Sequence, residues 1–120
     1  MKKGMPLQIT SVAFFLTIRP NIKRKLCQLL NVVYLTVTDL EQFTKYLQVV
    51  MPVVERRGGR VIAQGTPEAV EGNLPFSQAV VFEWQSRQDF LKYWHSDEYA
   101  EIRKLREGAA EFQGVIVEGA

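Results

Sequence analysis

The sequence predicts an α+β domain, a four-stranded antiparallel sheet with two helices on one face. Three observations carry this: β-branched and aromatic runs alternate with runs of helical spacing in the order βαββαβ, side chains able to cap helices stand just before the helical runs, and glycine and proline separate the elements. At 120 residues and 47% hydrophobic content the chain suffices for one domain with a real core.

Residues 32–38, Val-Val-Tyr-Leu-Thr-Val-Thr, read as the first strand. Asp39 stands three before Gln42 in a capping-box-like start, and Leu40, Phe43, Leu47, Val50, Met51 and Val54 follow at helical spacing. Pro52 removes one helical N–H and should bend or interrupt this helix; Gly58-Gly59 then offers a left-handed C-cap at least cost. A second strand runs from Arg60 through Val61, Ile62 and Ala63, and residues 71–75, Glu-Gly-Asn-Leu-Pro, form a connecting turn. Residues 79–84 form the third strand. Ser86, three before Asp89, caps a helix through Phe90, Leu91, Tyr93 and Trp94, and Ser96 reads as a second cap that predicts a kink near His95. The helix continuing over 96–110 places Tyr99, Ile102, Arg106 and Ala109 on one face, with Leu105 at its edge and Glu101 and Lys104 pointing away. Residues 114–118 close the pattern as the last strand. This order is that of the ferredoxin-like split βαβ fold.

Two helices cover only one face of such a sheet, yet the strands are apolar on both sides. Val80, Phe82 and Trp84 occupy one side of the third strand and Ala79 and Val81 the other, and Val32, Tyr34, Ile62 and Ile116 suggest the same two-sidedness elsewhere. A homodimer packed sheet against sheet is the economical cover, since each large apolar side chain buried is worth roughly 1.5 to 3 kcal/mol.

The formal charge of +2 is unevenly distributed. Six of the 15 basic residues lie in residues 1–31, which hold no acid, so residues 32–120 carry 9 basic against 13 acidic side chains, a net of −4. No nucleic-acid footprint follows for the main domain. A single cysteine, Cys27, permits no intrachain disulfide, and a single histidine, His95, permits no histidine-rich metal site. Reducing cytoplasm is the expected setting. No phosphate-binding glycine loop, nucleophile elbow or metal-ligand spacing is present, so neither cofactor nor metal is expected.

Arg106 is where the chain breaks its own pattern, since a guanidinium placed in an apolar stripe must meet an anion or a polar cavity. Two readings follow. In one, Arg106 holds the anionic group of a small molecule, a carboxylate or an aromatic compound, in a pocket between sheet and helices lined by Tyr34, Glu83, Trp94, Tyr99 and Arg106. In the other, Arg106 pairs with Glu83 or Glu71 to fix a helix on the sheet of a noncatalytic dimer module. His95 is a possible base by chemistry, though a residue beside a kink also serves as an exposed or capping group. Whether the domain is an enzyme stays open.

The helix start Asp39-Leu40-Glu41, then Gly58-Gly59-Arg60, Glu71-Gly72 before Pro75, Val81-Phe82-Glu83, Ser96-Asp97-Glu98-Tyr99, Arg106 and the ending Val117-Glu118-Gly119 resemble domain-of-unknown-function family 1330 from about Asn31 to Ala120. Two places depart from its pattern: Gln64-Gly65-Thr66 stands where the family usually has Arg-Gly-Gly, and Ser77-Gln78 where it often has an arginine. The resemblance implies a dimeric α/β barrel of paired ferredoxin-like sheets. The wider superfamily includes cofactor-independent monooxygenases and lactone isomerases, which suggests such chemistry by fold-level analogy only.

Residues 1–31 form a basic N-terminal extension outside the resemblance, and residues 32–120 the domain. Met1-Lys2-Lys3 precedes an apolar run, but Val12 to Ile18 is minimal for a signal peptide and too short to span a bilayer, and Arg19-Pro20 ends it without a small-residue cleavage site. Val12, Phe14, Leu16 and Ile18 alternate as in a strand, and Asn21 could cap a short helix bearing Ile22, Leu26, Leu29 and Leu30. An added strand and helix, a basic membrane-surface segment and an upstream start codon adding unselected residues are all open readings, and a peripheral segment without catalytic role and without stable membrane insertion is the expectation.

Overall fold

A computed structural model of the chain describes residues 29–119. Along them run β1 (Leu29–Val37), α1 (Leu40–Arg56), β2 (Gly59–Gly65), β3 (Gln78–Trp84), α2 (Arg87–Trp94), α3 (Asp97–Arg103), a 3-10 turn (Lys104–Arg106) and β4 (Ala110–Glu118). The strands form one antiparallel sheet in the order β2-β3-β1-β4, the ferredoxin-like arrangement expected.

The expected caps begin each helix. The Asp39 side chain accepts from the Gln42 N–H at 3.1 Å, Ser86 Oγ from the Asp89 N–H at 3.0 Å and Ser96 Oγ from the Tyr99 N–H at 3.0 Å. Ser96 therefore starts a separate helix, which is why the predicted kink is a full break at His95, the C-cap of α2. Gly58, at φ +105°, turns the chain out of α1 into β2. Pro52 does not interrupt α1: the helix runs through it, with Val50, Val53 and Val54 buried on either side.

Three boundaries differ from the sequence reading. The first strand begins at Leu29, three residues before Val32, because Leu29 is fully buried opposite Trp84; Leu29 and Leu30 therefore belong to the sheet, not to a leader helix. The rest of the expected leader strand and helix lies outside the described residues. The helix expected over 96–110 stops at Arg103, and β4 starts at Ala110 rather than Gly114. Long-range hydrogen bonds decide this. The Ala109 carbonyl accepts from the Thr38 and Asp39 N–H groups at 2.8 and 3.0 Å, while Gln42 Nε2 donates to the Leu105 and Glu107 carbonyls at 2.8 and 3.0 Å. Gly108, at φ +78°, makes the turn between those anchors.

Register sorts the two faces. Leu29 with Trp84, Asn31 with Phe82 and Ile116, Val33 with Val80 and Gly114, and Leu35 with Phe112 lie on the helix face. Leu30 with Glu83 and Val117, Val32 with Val81 and Val115, and Tyr34 with Ala79 lie on the other. Ile116, read from sequence as part of the second face, thus stands under the helices; Val115 and Val117, 47% and 51% exposed, are its neighbours on the bare side. Ile62 sits at a bulge in β2 and is 45% exposed.

Candidate functional site

Between the sheet and the helices lies a cavity of about 620 Å³, inside the range of roughly 300 to 1,000 Å³ usual for small-molecule sites. Its floor comes from alternate residues of β1, β3 and β4, including Val33, Phe82 and Gly114. Aromatic side chains of α1, α2 and α3 make most of its roof: Phe43 and Tyr46, then Phe90, Tyr93 and Trp94, then Tyr99.

One end is closed by stacking. Trp84, 1% exposed, meets Tyr93 with ring centroids 5.0 Å apart and Phe90 edge-on at 5.5 Å. Outside this end Glu98 accepts from Arg57 Nε and Nη2 at 3.1 and 3.0 Å and pairs with Arg56, which ties the end of α1 to the start of α3. The hydrogen bonds from Arg57, with the Arg56 charge beside them, hold the Glu98 carboxyl below its ordinary pKa.

Midway the Tyr46 and Tyr99 hydroxyls share a buried hydrogen bond of 2.9 Å, and the Tyr93 and Tyr99 rings lie 4.7 Å apart. Burial first, then the neighbouring Tyr99, pushes the Tyr46 and Tyr93 phenol pKa values far up; Arg106 opposes the shift without cancelling it. Both phenols stay protonated at neutral pH.

At the other end stands Arg106. Its guanidinium carbon lies 4.0 Å from the Phe112 ring centroid and 5.8 Å from that of Tyr46, and its Nε is buried without a hydrogen-bond partner. Among the described residues no carboxylate lies within ion-pair distance of it. Among the same residues no aspartate or glutamate lines the cavity.

The structure brings Trp94, Tyr99 and Arg106 together around this cavity and places Tyr34 and Glu83 elsewhere. Tyr34 points from the opposite face of the sheet and stacks on Phe76, with centroids 6.1 Å apart. Glu83, on that same face, accepts from Arg60 at 2.9 Å. The expected pairing of Arg106 with Glu83 or Glu71 is therefore corrected: strand parity turns Glu83 away from the helices, and Glu71 is exposed in the loop after β2. Arg106 also belongs to the 3-10 turn, not to the middle of a helix, yet Gln42 holds that turn so that its side chain still reaches the aromatic layer. His95 lines the cavity as well as capping α2.

Sequence spacing missed Tyr46. It follows Phe43 by three and precedes Val50 by four, so the signal was present, but Leu40 and Leu47 drew the apolar stripe to one side. Tyr46 is buried, whereas Leu40 is 71% exposed. Among the described residues no group of three or more potential metal ligands comes together, and no helix is long and apolar enough to cross a membrane.

Comparison with known proteins bears on this geometry. Residues 29–120 match the family described as Domain of unknown function (DUF1330), and the chain belongs to that family. No curated protein matches. The structure of the RPA0582 protein of unknown function from Rhodopseudomonas palustris is similar, with 21% identity, a TM-score of 0.61, and 88% of this chain and 91% of that one covered. SnoaB, a cofactor-independent oxygenase from Streptomyces nogalater, is similar at 10% identity and a TM-score of 0.55, over 75% of this chain and 90% of that one. A dimeric ferredoxin-like protein of unknown function from Thermobifida fusca is similar at 11% identity and a TM-score of 0.53, over 79% and 92% of the two chains. At these identities the likeness is one of fold.

Proposed function

We propose that this DUF1330 domain is a homodimeric small-molecule-binding protein whose cavity takes an organic carboxylate at Arg106. The observation that carries the reading is the uncompensated charge: among the described residues Arg106 is the one permanent charge in the cavity wall, it has no carboxylate partner, and its Nε is enclosed without an acceptor. Leaving a buried donor unsatisfied costs about 1 to 3 kcal/mol, so architecture alone favours an apolar residue there. A ligand carboxylate would supply the missing charge and acceptors, with the hydroxyls of Tyr46 and Tyr99 beside it.

The homodimer rests on the bare face. Val115, Val117 and Ile62, each about half exposed, flank the half-buried Leu30, Val32 and Val81, and a second copy would cover them. The dimeric Thermobifida fusca protein of the same fold supports this. A reducing cytoplasmic setting suits a chain with one cysteine. SnoaB is a cofactor-independent oxygenase, and the likeness to it is one of fold.

Titration calorimetry of the full chain with benzoate, 2-naphthoate and hexanoate tests the binding reading, with Arg106→Met as control. Binding lost in the variant supports it; failure of all three to bind the wild type overturns it. Sedimentation equilibrium tests the assembly. A dimer that Val117→Lys dissociates is expected, and a wild-type monomer at micromolar concentration contradicts it.

A further inference from the structure

Gly114 lies in β4 opposite Val33, and neither backbone nor packing explains why it is glycine. The positive-φ glycines are Gly58, Gly65, Gly72 and Gly108, so Gly114 holds a conformation open to any residue. A Cβ added there would meet nothing closer than the Val32 carbonyl oxygen at 3.8 Å and Val33 Cγ2 at 3.9 Å, both ordinary contacts. At Gly59, by contrast, an added Cβ would stand 2.7 Å from the Trp84 ring. Glycine in a strand interior costs backbone entropy and packs nothing, so the position works against the sheet unless the space is used.

Parity says where that space is. Gly114 shares a face with Phe112 and Ile116, so a side chain there would project into the cavity. Phe112, whose ring carries Arg106, lies two residues along the strand, roughly 7 Å away. An aryl ring bearing a carboxylate covers that span. Trp94, which also lines the cavity, lies 5.2 Å from Tyr99, centroid to centroid, and stacks on Phe90 at an interplanar angle of 18°.

We propose that Gly114 is a specificity-determining residue, leaving a flat slot for the ring of an aromatic monocarboxylate anchored at Arg106. The inference rests on the carboxylate reading of the cavity. The single permanent charge that the described residues give the wall selects a monoanion. The missing side chain selects a planar ring over a puckered ring or flexible chain.

Calorimetric titration of the full chain with 2-naphthoate, benzoate, cyclohexanecarboxylate and hexanoate, on the wild type, Gly114→Ala, Gly114→Val and Arg106→Met, tests it. The wild type should bind the two aryl carboxylates roughly tenfold more tightly than the two saturated ones. Gly114→Val should weaken 2-naphthoate roughly tenfold or more by filling the slot, Gly114→Ala should fall between, and neither should lower the melting temperature of the unliganded protein. If Gly114→Val does not fold, Gly114→Ala alone decides by the same ordering. Saturated carboxylates binding as tightly as aryl ones, or Gly114 variants binding 2-naphthoate as the wild type does, overturn this inference while a deficient Arg106→Met leaves the carboxylate reading standing. A wild type that binds none of the four overturns both.

Discussion

The two ends of the layer between sheet and helices are built on opposite terms. At one end Trp84 and Leu29 are buried among close-packed rings, and outside them Glu98 pairs with both Arg56 and Arg57. At the other, a guanidinium rests on the Phe112 ring with no carboxylate within reach among the described residues. The two landmarks are six β1 residues apart, Leu29 opposite Trp84 and Leu35 opposite Phe112, or roughly 20 Å along the strand. The first end pairs its charges, though the Trp84 indole N–H is buried without a partner among the described residues, and so reads as architecture; the second leaves a guanidinium without a counter-charge, and so reads as a candidate site.

If the closed end is architecture, crowding it should be costly. Gly59→Ala would set a methyl 2.7 Å from the Trp84 ring and 2.8 Å from Val54 Cγ1, and it should cost about 1 to 3 kcal/mol in denaturant unfolding. A neutral result would mean that this end is looser than its packing implies. Between the ends, Tyr99→Phe strips the Tyr46 hydroxyl of its buried partner and should cost about 1 to 2 kcal/mol. The same phenols set an alkaline limit. Because burial raises the Tyr46 and Tyr93 pKa values, their contribution is fully present below the unfolded phenol value of about 10 and is lost as pH rises above it. Alkaline melts should therefore fall more steeply for the wild type than for Tyr46→Phe. The smallest effect belongs to the exposed clamp. The Glu98 pKa is lowered, so its contribution is present above the unfolded carboxylate value and lost as pH falls through the folded one. Glu98→Gln should flatten the acid limb of the stability profile while changing neutral stability little, consistent with partial solvent screening.

Local chemistry made the closed end readable in the sequence. The caps at Ser86 and Ser96 and the positive-φ turn at Gly58 are short-range features, and the structure contains each. The Arg106 end depends on contacts across the chain. Gln42 holds residues 105 and 107 through its side chain, and Thr38 and Asp39 draw Ala109 into the sheet, so a segment with helical spacing ends early. Separations of 60 residues and more, as between Gln42 and Leu105, leave no mark on local periodicity. Tyr34 and Glu83 went to the wrong face for a related reason: both faces of β1 and β3 are apolar, so alternation alone could not say which lay under the helices. Arg106, Tyr99 and Trp94 do line the cavity, and Arg106 was legible because an arginine in an apolar stripe is anomalous whether its backbone is helical or turned.

The central claim is that Arg106 is held for a ligand and not for the fold, and paired thermal melts of wild type and Arg106→Met, each with and without saturating 2-naphthoate, test it most directly. The account predicts that the unliganded variant melts within about 2 °C of the wild type, that ligand raises the wild-type melting temperature by mass action, and that it leaves the variant unmoved. A variant that collapses without ligand, beside a wild type that no carboxylate stabilises, would contradict it.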